Sequence, residues 1–191
     1  MHMRKRLFIT LAALLVAIAA WCWGQSGNHS ELKEGDIVFM HSTTRQSPII
    51  AVATGSPWTH CGVIVMKNGE PWVLEAVSPV KLTSWKQWKK QAKGGITSMK
   101  RYTDDEVHIS YSKYLGRPYD LAFRFGNNAW YCSELVYDIY KNQLGVKLCK
   151  PRQVSDYHLT KKVKSVMKRR GITPSQLVVA PVDIFNSDKL H

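Results

Sequence analysis

The chain has 191 residues, of which 45% are hydrophobic, 21% charged and 10% aromatic, which is typical of a single globular domain with a sizeable core. This apolar content excludes a disordered chain, and the lack of a repeat disfavours collagen, coiled coils and solenoids. With 27 Lys and Arg against 14 Asp and Glu, the formal net charge is +13, which favours acidic partners such as anionic lipid, polyanionic cell wall or nucleic acid.

The first 23 residues have the pattern of an export signal. Basic residues at 4–6 precede the apolar run 7–23, which carries several alanines towards its end. The run is at the lower limit for a spanning helix, so an uncleaved N-terminal anchor is the alternative to a cleaved signal peptide. We therefore expect an exported protein of the periplasm or cell envelope, which disfavours nucleic acid as a partner. The polar residues 24–34 are predicted to be a linker to a catalytic domain over 35–191.

The cysteines do not have the spacing of a zinc knuckle or of a disulfide scaffold. Beyond Cys22 there are three of them, Cys61, Cys132 and Cys149, so at least one thiol is expected to be free. A bridge between Cys61 and Cys149 stays open at this point. The sequence predicts neither a metal nor another cofactor.

Hydrophobic periodicity and turn residues predict an α+β fold. A buried strand is expected over 36–40, followed by a loop or short helix over 41–58. Two apolar runs, 61–66 and 72–77, flank Asn68-Gly69, which is the strongest short hairpin signal. The further expectations are a helix over 83–92 ended by Gly94-Gly95, a strand over 106–111, a helix over 132–141, a basic helix over 160–170 with a solvated face, and a short strand within 176–185.

The predicted hairpin brings a histidine and an acid together. If Asn68-Gly69 is a two-residue turn, Gly62 pairs with Glu75. His60 and Glu75 are then diagonal neighbours on one face of the sheet, roughly 7–8 Å apart at Cα, and Gly62 leaves room for their side chains to meet. A carboxylate that holds one imidazole nitrogen fixes the tautomer and orientation that a general base needs.

A thiol is predicted at the first turn of the helix over 132–141. The core-facing stripe of that helix follows helical spacing through Cys132, Leu135, Val136, Ile139 and Tyr140. Unpaired N–H groups and the positive end of the helix dipole favour thiolate there, and a backbone N–H could also donate to an oxyanion. Glu134 is expected to face outwards as a first-turn acid that complements the dipole. A nucleophile at this position, facing a sheet with a histidine and an acid, is the papain arrangement.

Several segments resemble the permuted papain-like amidases of the YiiX/YaeF type, namely 58–65, 73–77, 116–120, 130–137 and 180–185. That family is a circularly permuted branch of the NlpC-type bacterial cell-wall cysteine peptidases, with lecithin retinol acyltransferase as a distant relative. The resemblance implies a permuted papain-like fold with Cys132 as nucleophile, His60 as base and Glu75 as the orienting residue. It also suggests Tyr119 as an oxyanion donor, for which a packing role is the alternative. Cys61, where relatives often have a small apolar residue, departs from the pattern.

These observations predict an exported cysteine hydrolase that cleaves an amide bond through a thioester on Cys132. The expected substrates are peptidoglycan peptides or N-acyl amino acids, and an anionic envelope surface is a further expected partner. Lipid acyl hydrolysis or transfer is one alternative. The other is a non-catalytic, cationic envelope-binding module, in which His60 is an ordinary strand-end histidine and Cys132 an inert core thiol.

Overall fold

A five-stranded antiparallel sheet organises residues 32–191, the part of the chain that the computed structural model describes. The strands are β1 (Ile37–Ser42), β2 (His60–Lys67), β3 (Glu70–Glu75), β4 (Lys81–Ser84) and β5 (Ala92–Lys100), in the spatial order β4-β3-β2-β1-β5. The helices are α1 (Ser47–Thr54), α2 (Trp85–Lys89), α3 (Cys132–Gln143), α4 (Lys161–Arg170) and α5 (Pro181–Phe185). A two-stranded ribbon joins β6 (Arg152–Gln153) to β7 (Leu177–Val178), and a 3₁₀ turn (Val154–Asp156) follows β6. The predicted leader and most of the predicted linker lie outside the described residues.

The core lies between the sheet and helix α3, which packs across β2. Alternate residues of β1 and β2 face α3, and the predicted apolar stripe of α3 faces these strands. The buried residues of this interface include Ile37, Phe39, Cys61, Val63, Val65, Leu135, Val136 and Ile139. Burying each large side chain contributes about 1.5–3 kcal/mol relative to exposure. This packing fixes the first turn of α3 against the start of β2. Among residues 32–191, none of the helices has the length and apolar character needed to cross a membrane.

The hairpin between β2 and β3 has the predicted two-residue turn. Lys67 pairs with Glu70, and the register continues to Val63 opposite Leu74. Asn68 and Gly69 both have positive φ, 54° and 78°, as the tight turn of a two-residue hairpin requires. The positions that the sequence assigns to one face of this hairpin are therefore confirmed.

The predictions for two elements are wrong, one in its bounds and the other in its type. The helix expected over 83–92 covers only Trp85–Lys89, because Lys81–Ser84 pairs with β3 and Ser84 then caps the helix by accepting a hydrogen bond from the Gln87 N–H. Residues 106–111 do not form the expected strand, since the amides of Ile109 and Ser110 donate to side chains instead of to a neighbouring strand.

The fifth strand is instead Ala92–Lys100, which pairs with β1. It includes Gly94 and Gly95, the pair that was expected to end a helix, both with positive φ. The register between β1 and β5 shifts next to this pair, between Met40 and Ser42. A glycine pair in an extended segment thus accommodates an irregularity of the sheet and does not terminate an element.

Candidate active site

His60 and Glu75 meet as the hairpin register predicts. The His60 Nε2 lies 2.6 Å from the Glu75 Oε2. Gly62 makes the approach possible, because a Cβ at this position would lie 2.5 Å from the Val73 Cγ1 and 2.8 Å from the Leu74 carbonyl oxygen. With Nε2 held by the carboxylate, Nδ1 is the ring nitrogen left to exchange a proton with another group.

Glu75 is fully buried and accepts three hydrogen bonds. Its Oε2 accepts from His60 and from the Trp88 Nε1–H at 3.1 Å, and its Oε1 accepts from the Thr83 hydroxyl at 2.5 Å. Burial alone would raise the pKa of this carboxyl, but the hydrogen bonds and charge of His60, followed by Thr83, lower it. Glu75 is therefore a carboxylate at neutral pH. Sequence reasoning missed the role of Thr83 and Trp88, which only the pairing of β4 with β3 brings to Glu75.

Cys132 is the first residue of α3, with its side chain almost fully buried and in contact with His60. A hydrogen bond from Cys61 and then the His60 imidazole lower the pKa of the Cys132 thiol well below its usual range, although burial opposes this. Burial would lower the pKa of His60, but its bonds to Cys132 and Glu75 raise it to about 10. The opposite shifts indicate a thiolate–imidazolium pair at neutral pH.

The Cys61 side chain reaches Cys132 from β2. Both residues belong to the core between the sheet and α3, and the Cys61 thiol and backbone N–H both donate towards the Cys132 sulfur. Burial and the neighbouring Cys132 raise the pKa of Cys61 well above its usual range, so this group stays protonated. Cys61, Cys132 and Cys149 are all free thiols, so the bridge between Cys61 and Cys149 that the sequence left open is not formed.

Tyr119 lies beside the start of α3 because the loop that connects Tyr119 to this helix folds back on itself. The Asp120 N–H donates to the Trp130 carbonyl at 3.1 Å, and the Trp130 N–H donates to the Pro118 carbonyl at 3.0 Å. Burial and the neighbouring Cys132 raise the pKa of the Tyr119 phenol well above its usual range, so it stays protonated.

A side-chain amide orients this phenol. The Gln46 Nε2 donates to the Tyr119 hydroxyl oxygen at 2.8 Å, and Arg170 donates to the Gln46 Oε1 at 3.4 Å. Because Tyr119 accepts from Gln46, its own hydrogen remains free to point towards a group bound at Cys132. This geometry suits the oxyanion role that the resemblance suggests. Sequence reasoning missed Gln46 and Arg170, which are 124 positions apart.

Glu134 does not face outwards, contrary to expectation. It is buried, and its carboxyl accepts hydrogen bonds from the Gly126 N–H at 3.3 Å and from the backbone of Tyr131, the residue before the helix. A third-position acid that reaches back to the N-cap amide is half of a capping box, and this contact draws the side chain under the loop. Burial raises the pKa of Glu134 to about 8, and its Oε2 has no partner among the described residues. Glu134 is therefore mostly a neutral acid at pH 7.

A cavity of about 620 Å³ opens beside Cys132. Its walls are mostly apolar and come from α1, α4 and the segment around β7; they include Ile49, Ile50, Ala53, Val163, Val166, Met167 and Val178. Basic groups also line it, namely Arg45, Lys162, Arg169 and Arg170. The predicted basic helix therefore has two faces, because Val163 and Met167 are buried while Lys161, Lys162, Lys164 and Lys168 are exposed.

No group of three or more His, Cys, Asp or Glu side chains within residues 32–191 is arranged to hold a metal ion. One solved relative is described as a metalloprotein: the crystal structure of YiiX from Escherichia coli O157:H7 (DUF1105). That structure is 32% identical to this chain, with a TM-score of 0.75, and the match covers 83% of this chain and 94% of the other. In this chain, the residues that the structure describes do not provide a set of ligands that fits a resident metal.

Sequence comparison gives the same relationship over nearly the whole chain. The uncharacterized protein YiiX of Escherichia coli strain K12 is 32% identical over 199 aligned positions, which cover 98% of this chain and 94% of that protein. Residues 31–189 match the family described as permuted papain-like amidase enzymes, YaeF/YiiX, C92 family. The α+β architecture and the antiparallel sheet against α3 agree with this match. The chain therefore belongs to the family of permuted papain-like amidases.

Proposed function

We propose that this protein is an exported cysteine hydrolase that cleaves an amide bond with Cys132 as nucleophile, His60 as general base and Glu75 as the group that orients His60. The observation that carries the proposal is the position of the imidazole, which binds a buried carboxylate through Nε2 at 2.6 Å and contacts the Cys132 thiol. A histidine between a carboxylate and a thiol activates the nucleophile in cysteine hydrolases on unrelated folds. Family membership supports amidase chemistry in general.

The proposed reaction has two steps. The Cys132 thiolate attacks the amide carbon, and the carbonyl oxygen becomes an oxyanion that accepts from the Cys132 backbone N–H and the Tyr119 hydroxyl. The His60 imidazolium then gives its proton to the leaving nitrogen as the C–N bond breaks, which releases an amine and leaves a thioester. His60 next removes a proton from water, whose oxygen attacks the thioester, and the acid product leaves with Cys132 restored.

The cavity beside Cys132 favours an N-acyl amino acid over a peptidoglycan peptide. Apolar walls suit an acyl chain better than a polar peptide, because burying unpaired amide groups there would cost free energy. Arg45 and Arg170, which also line the cavity, suit the carboxylate that an N-acyl amino acid carries. The same walls favour lipid acyl hydrolysis or transfer as the second candidate, since a thioester can pass its acyl group to an acceptor other than water.

A product assay on the full chain separates these substrates. We would incubate the protein with an N-lauroyl amino acid, a muropeptide and a phospholipid, and identify the products by mass spectrometry. We expect lauric acid and the free amino acid to appear with the first substrate, and Cys132→Ala to abolish them. Turnover of the muropeptide or phospholipid alone would refute the substrate assignment. Turnover that persists in Cys132→Ala would refute the nucleophile.

Alkylation separates a hydrolase from a non-catalytic binding module without a substrate. A paired thiolate reacts rapidly with iodoacetamide below pH 7.5, whereas an inert thiol reacts only near the free-thiol pKa of about 8.5. Reaction of Cys132 only at the higher pH would refute the proposed ion pair.

We also propose that the basic leader directs the chain to the periplasm or cell envelope, where the exposed lysines of α4 face an anionic surface. Cell fractionation checks the location, and the N-terminal sequence of the recovered protein distinguishes a cleaved signal peptide from an anchor. Recovery from the cytoplasm with an intact leader would contradict export. Loss of vesicle binding on replacing Lys161 and Lys164 with Gln would support the surface contact.

A further inference from the structure

The second thiol at the active site helps to lower the pKa of Cys132, but it forms no covalent bond in the proposed hydrolysis. Cys61 follows His60 directly, is fully buried and donates its thiol hydrogen towards the Cys132 sulfur. Both sulfurs are free, and both lie in the core between β2 and α3. An amide hydrolase needs one thiol, so a second one in contact with the first calls for a separate chemical explanation.

We propose that Cys132 and Cys61 form a reversible disulfide when hydrogen peroxide oxidises the nucleophile, with Cys61 as the resolving cysteine. The inference rests on the thiolate character of Cys132 that the proposed function uses, but it goes beyond hydrolysis. Cysteines that form such a disulfide have a low pKa, are accessible to peroxide and lie next to a resolving thiol. Cys132 lines the 620 Å³ cavity, which gives a small oxidant a path to its sulfur.

The chemistry balances in two steps. The Cys132 thiolate attacks one peroxide oxygen, the O–O bond breaks, and the sulfur becomes a sulfenic acid while the other oxygen leaves as hydroxide, which takes up a proton to form water. The Cys61 sulfur then attacks the Cys132 sulfur, the S–O bond breaks, and the oxygen leaves as water with the Cys61 proton. Two thiols and one peroxide give one disulfide and two waters. A small-molecule dithiol reverses the reaction by thiol–disulfide exchange.

The position of Cys61 suits the resolving step. Cys61 lies on the face of β2 that packs against α3, and its side chain is hydrogen-bonded to Cys132, so the S–S bond would join this strand residue to the first turn of the neighbouring helix. The oxidised pair would occupy the nucleophile and block hydrolysis until reduction. It would also keep Cys132 from irreversible oxidation to a sulfinic or sulfonic acid.

Peptide mapping tests the proposal independently of any substrate. Full-length protein is treated with hydrogen peroxide, alkylated and digested with trypsin, which releases Cys61 in peptide 46–67 and Cys132 in peptide 125–141. We expect these two peptides to appear cross-linked, with a mass about 2 Da below their sum, and to separate after dithiothreitol. The matched controls are Cys61→Ser, which removes the resolving sulfur, and Cys149→Ser, which removes a half-buried thiol elsewhere.

The variants decide the outcome. Cys149→Ser should form the same cross-link, whereas Cys61→Ser should accumulate sulfinic acid at Cys132 and fail to regain alkylation after reduction. The proposal is overturned if wild-type protein gives no 46–67 to 125–141 link, or if Cys61→Ser recovers as fully as wild type. Circular dichroism confirms that each variant is folded, and Cys61→Ala serves in place of Cys61→Ser if the latter is not. A protein that cross-links but hydrolyses nothing would fail only the proposed function.

Discussion

Replacing Glu75 with Gln tests whether the buried carboxylate maintains the thiolate at Cys132. The Oε2 of Glu75 accepts from both His60 and Trp88, and its Oε1 accepts from Thr83. A glutamine has one accepting oxygen, so its NH₂ group must face either Thr83 or the other two donors. In either orientation the negative charge that stabilises the His60 imidazolium is lost.

The size of the effect follows from the bond that changes. A hydrogen bond to a charged group contributes about 1.5–3 kcal/mol, and one pKa unit corresponds to about 1.36 kcal/mol. Glu75→Gln should therefore raise the apparent pKa of the Cys132 thiol by about one to two units. If hydrolysis uses the same ion pair, kcat/KM at neutral pH should fall about 10- to 150-fold.

The assay is the rate of Cys132 alkylation by iodoacetamide as a function of pH. Wild type should react with an inflection well below the free-thiol pKa of about 8.5, and Glu75→Gln should shift that inflection upwards. Thr83→Ala is the matched control, because it removes one neutral donor from the same carboxylate and keeps the negative charge of Glu75. Superimposable profiles for folded wild type and Glu75→Gln would refute an orienting role for Glu75.

Three further predictions use other parts of the site. Gly62→Ala should lower stability by about 1–3 kcal/mol in urea unfolding and slow Cys132 alkylation, because the new Cβ meets the Leu74 carbonyl at 2.8 Å; unchanged values would contradict the close packing. Tyr119→Phe should lower kcat/KM about 10²–10³-fold without moving the alkylation profile, and a shifted profile would argue against an oxyanion role. The pKa of Glu134 is raised to about 8 in the folded chain, so the folded state holds this proton more tightly than the unfolded state does. The contribution of Glu134 to the free energy of unfolding is therefore complete below about pH 4.5 and falls by up to about 1.4 kcal/mol per pH unit as the pH rises to about 8. Urea unfolding of Glu134→Gln at pH 5.5 and 8.5 should lack that fall, and a fall equal to wild type would count against the neutral acid.

The contact between His60 and Glu75 could be predicted because it is local in sequence. Asn68-Gly69 fixes the turn, the turn fixes the register, and the alternation of side chains then assigns both residues to one face. Cys132 could be predicted for a similar reason, since a helical stripe of apolar residues specifies which face of α3 meets the sheet. Both inferences use spacings within one element or one hairpin.

The surroundings of the site depend on pairings between distant segments and could not be predicted in this way. Thr83 reaches Glu75 only because β4 pairs with β3, whereas the local sequence predicts that a helix begins at Thr83. The cavity forms between α1 and α4, whose separation in sequence exceeds 100 residues. Glu134 was assigned to the surface by its charge, and the amides of Tyr131 and Gly126 draw it inside. Long-range packing decides each of these, and no periodicity encodes it.

The two buried carboxyl groups near Cys132 are shifted in opposite directions by their surroundings. Glu75 receives three donors, one of them an imidazolium, so it remains ionised despite burial. Glu134 receives two backbone amides and is left with an unpartnered oxygen among the described residues, so burial dominates and it remains protonated at neutral pH. A charged Glu134, two residues from Cys132, would destabilise the thiolate by repulsion. A neutral Glu134 caps the helix without this repulsion, so the positive end of the helix dipole stabilises the Cys132 thiolate. Glu75 is therefore negatively charged next to the imidazole, whereas Glu134 is neutral near the sulfur. An anionic nucleophile requires this distribution of charge.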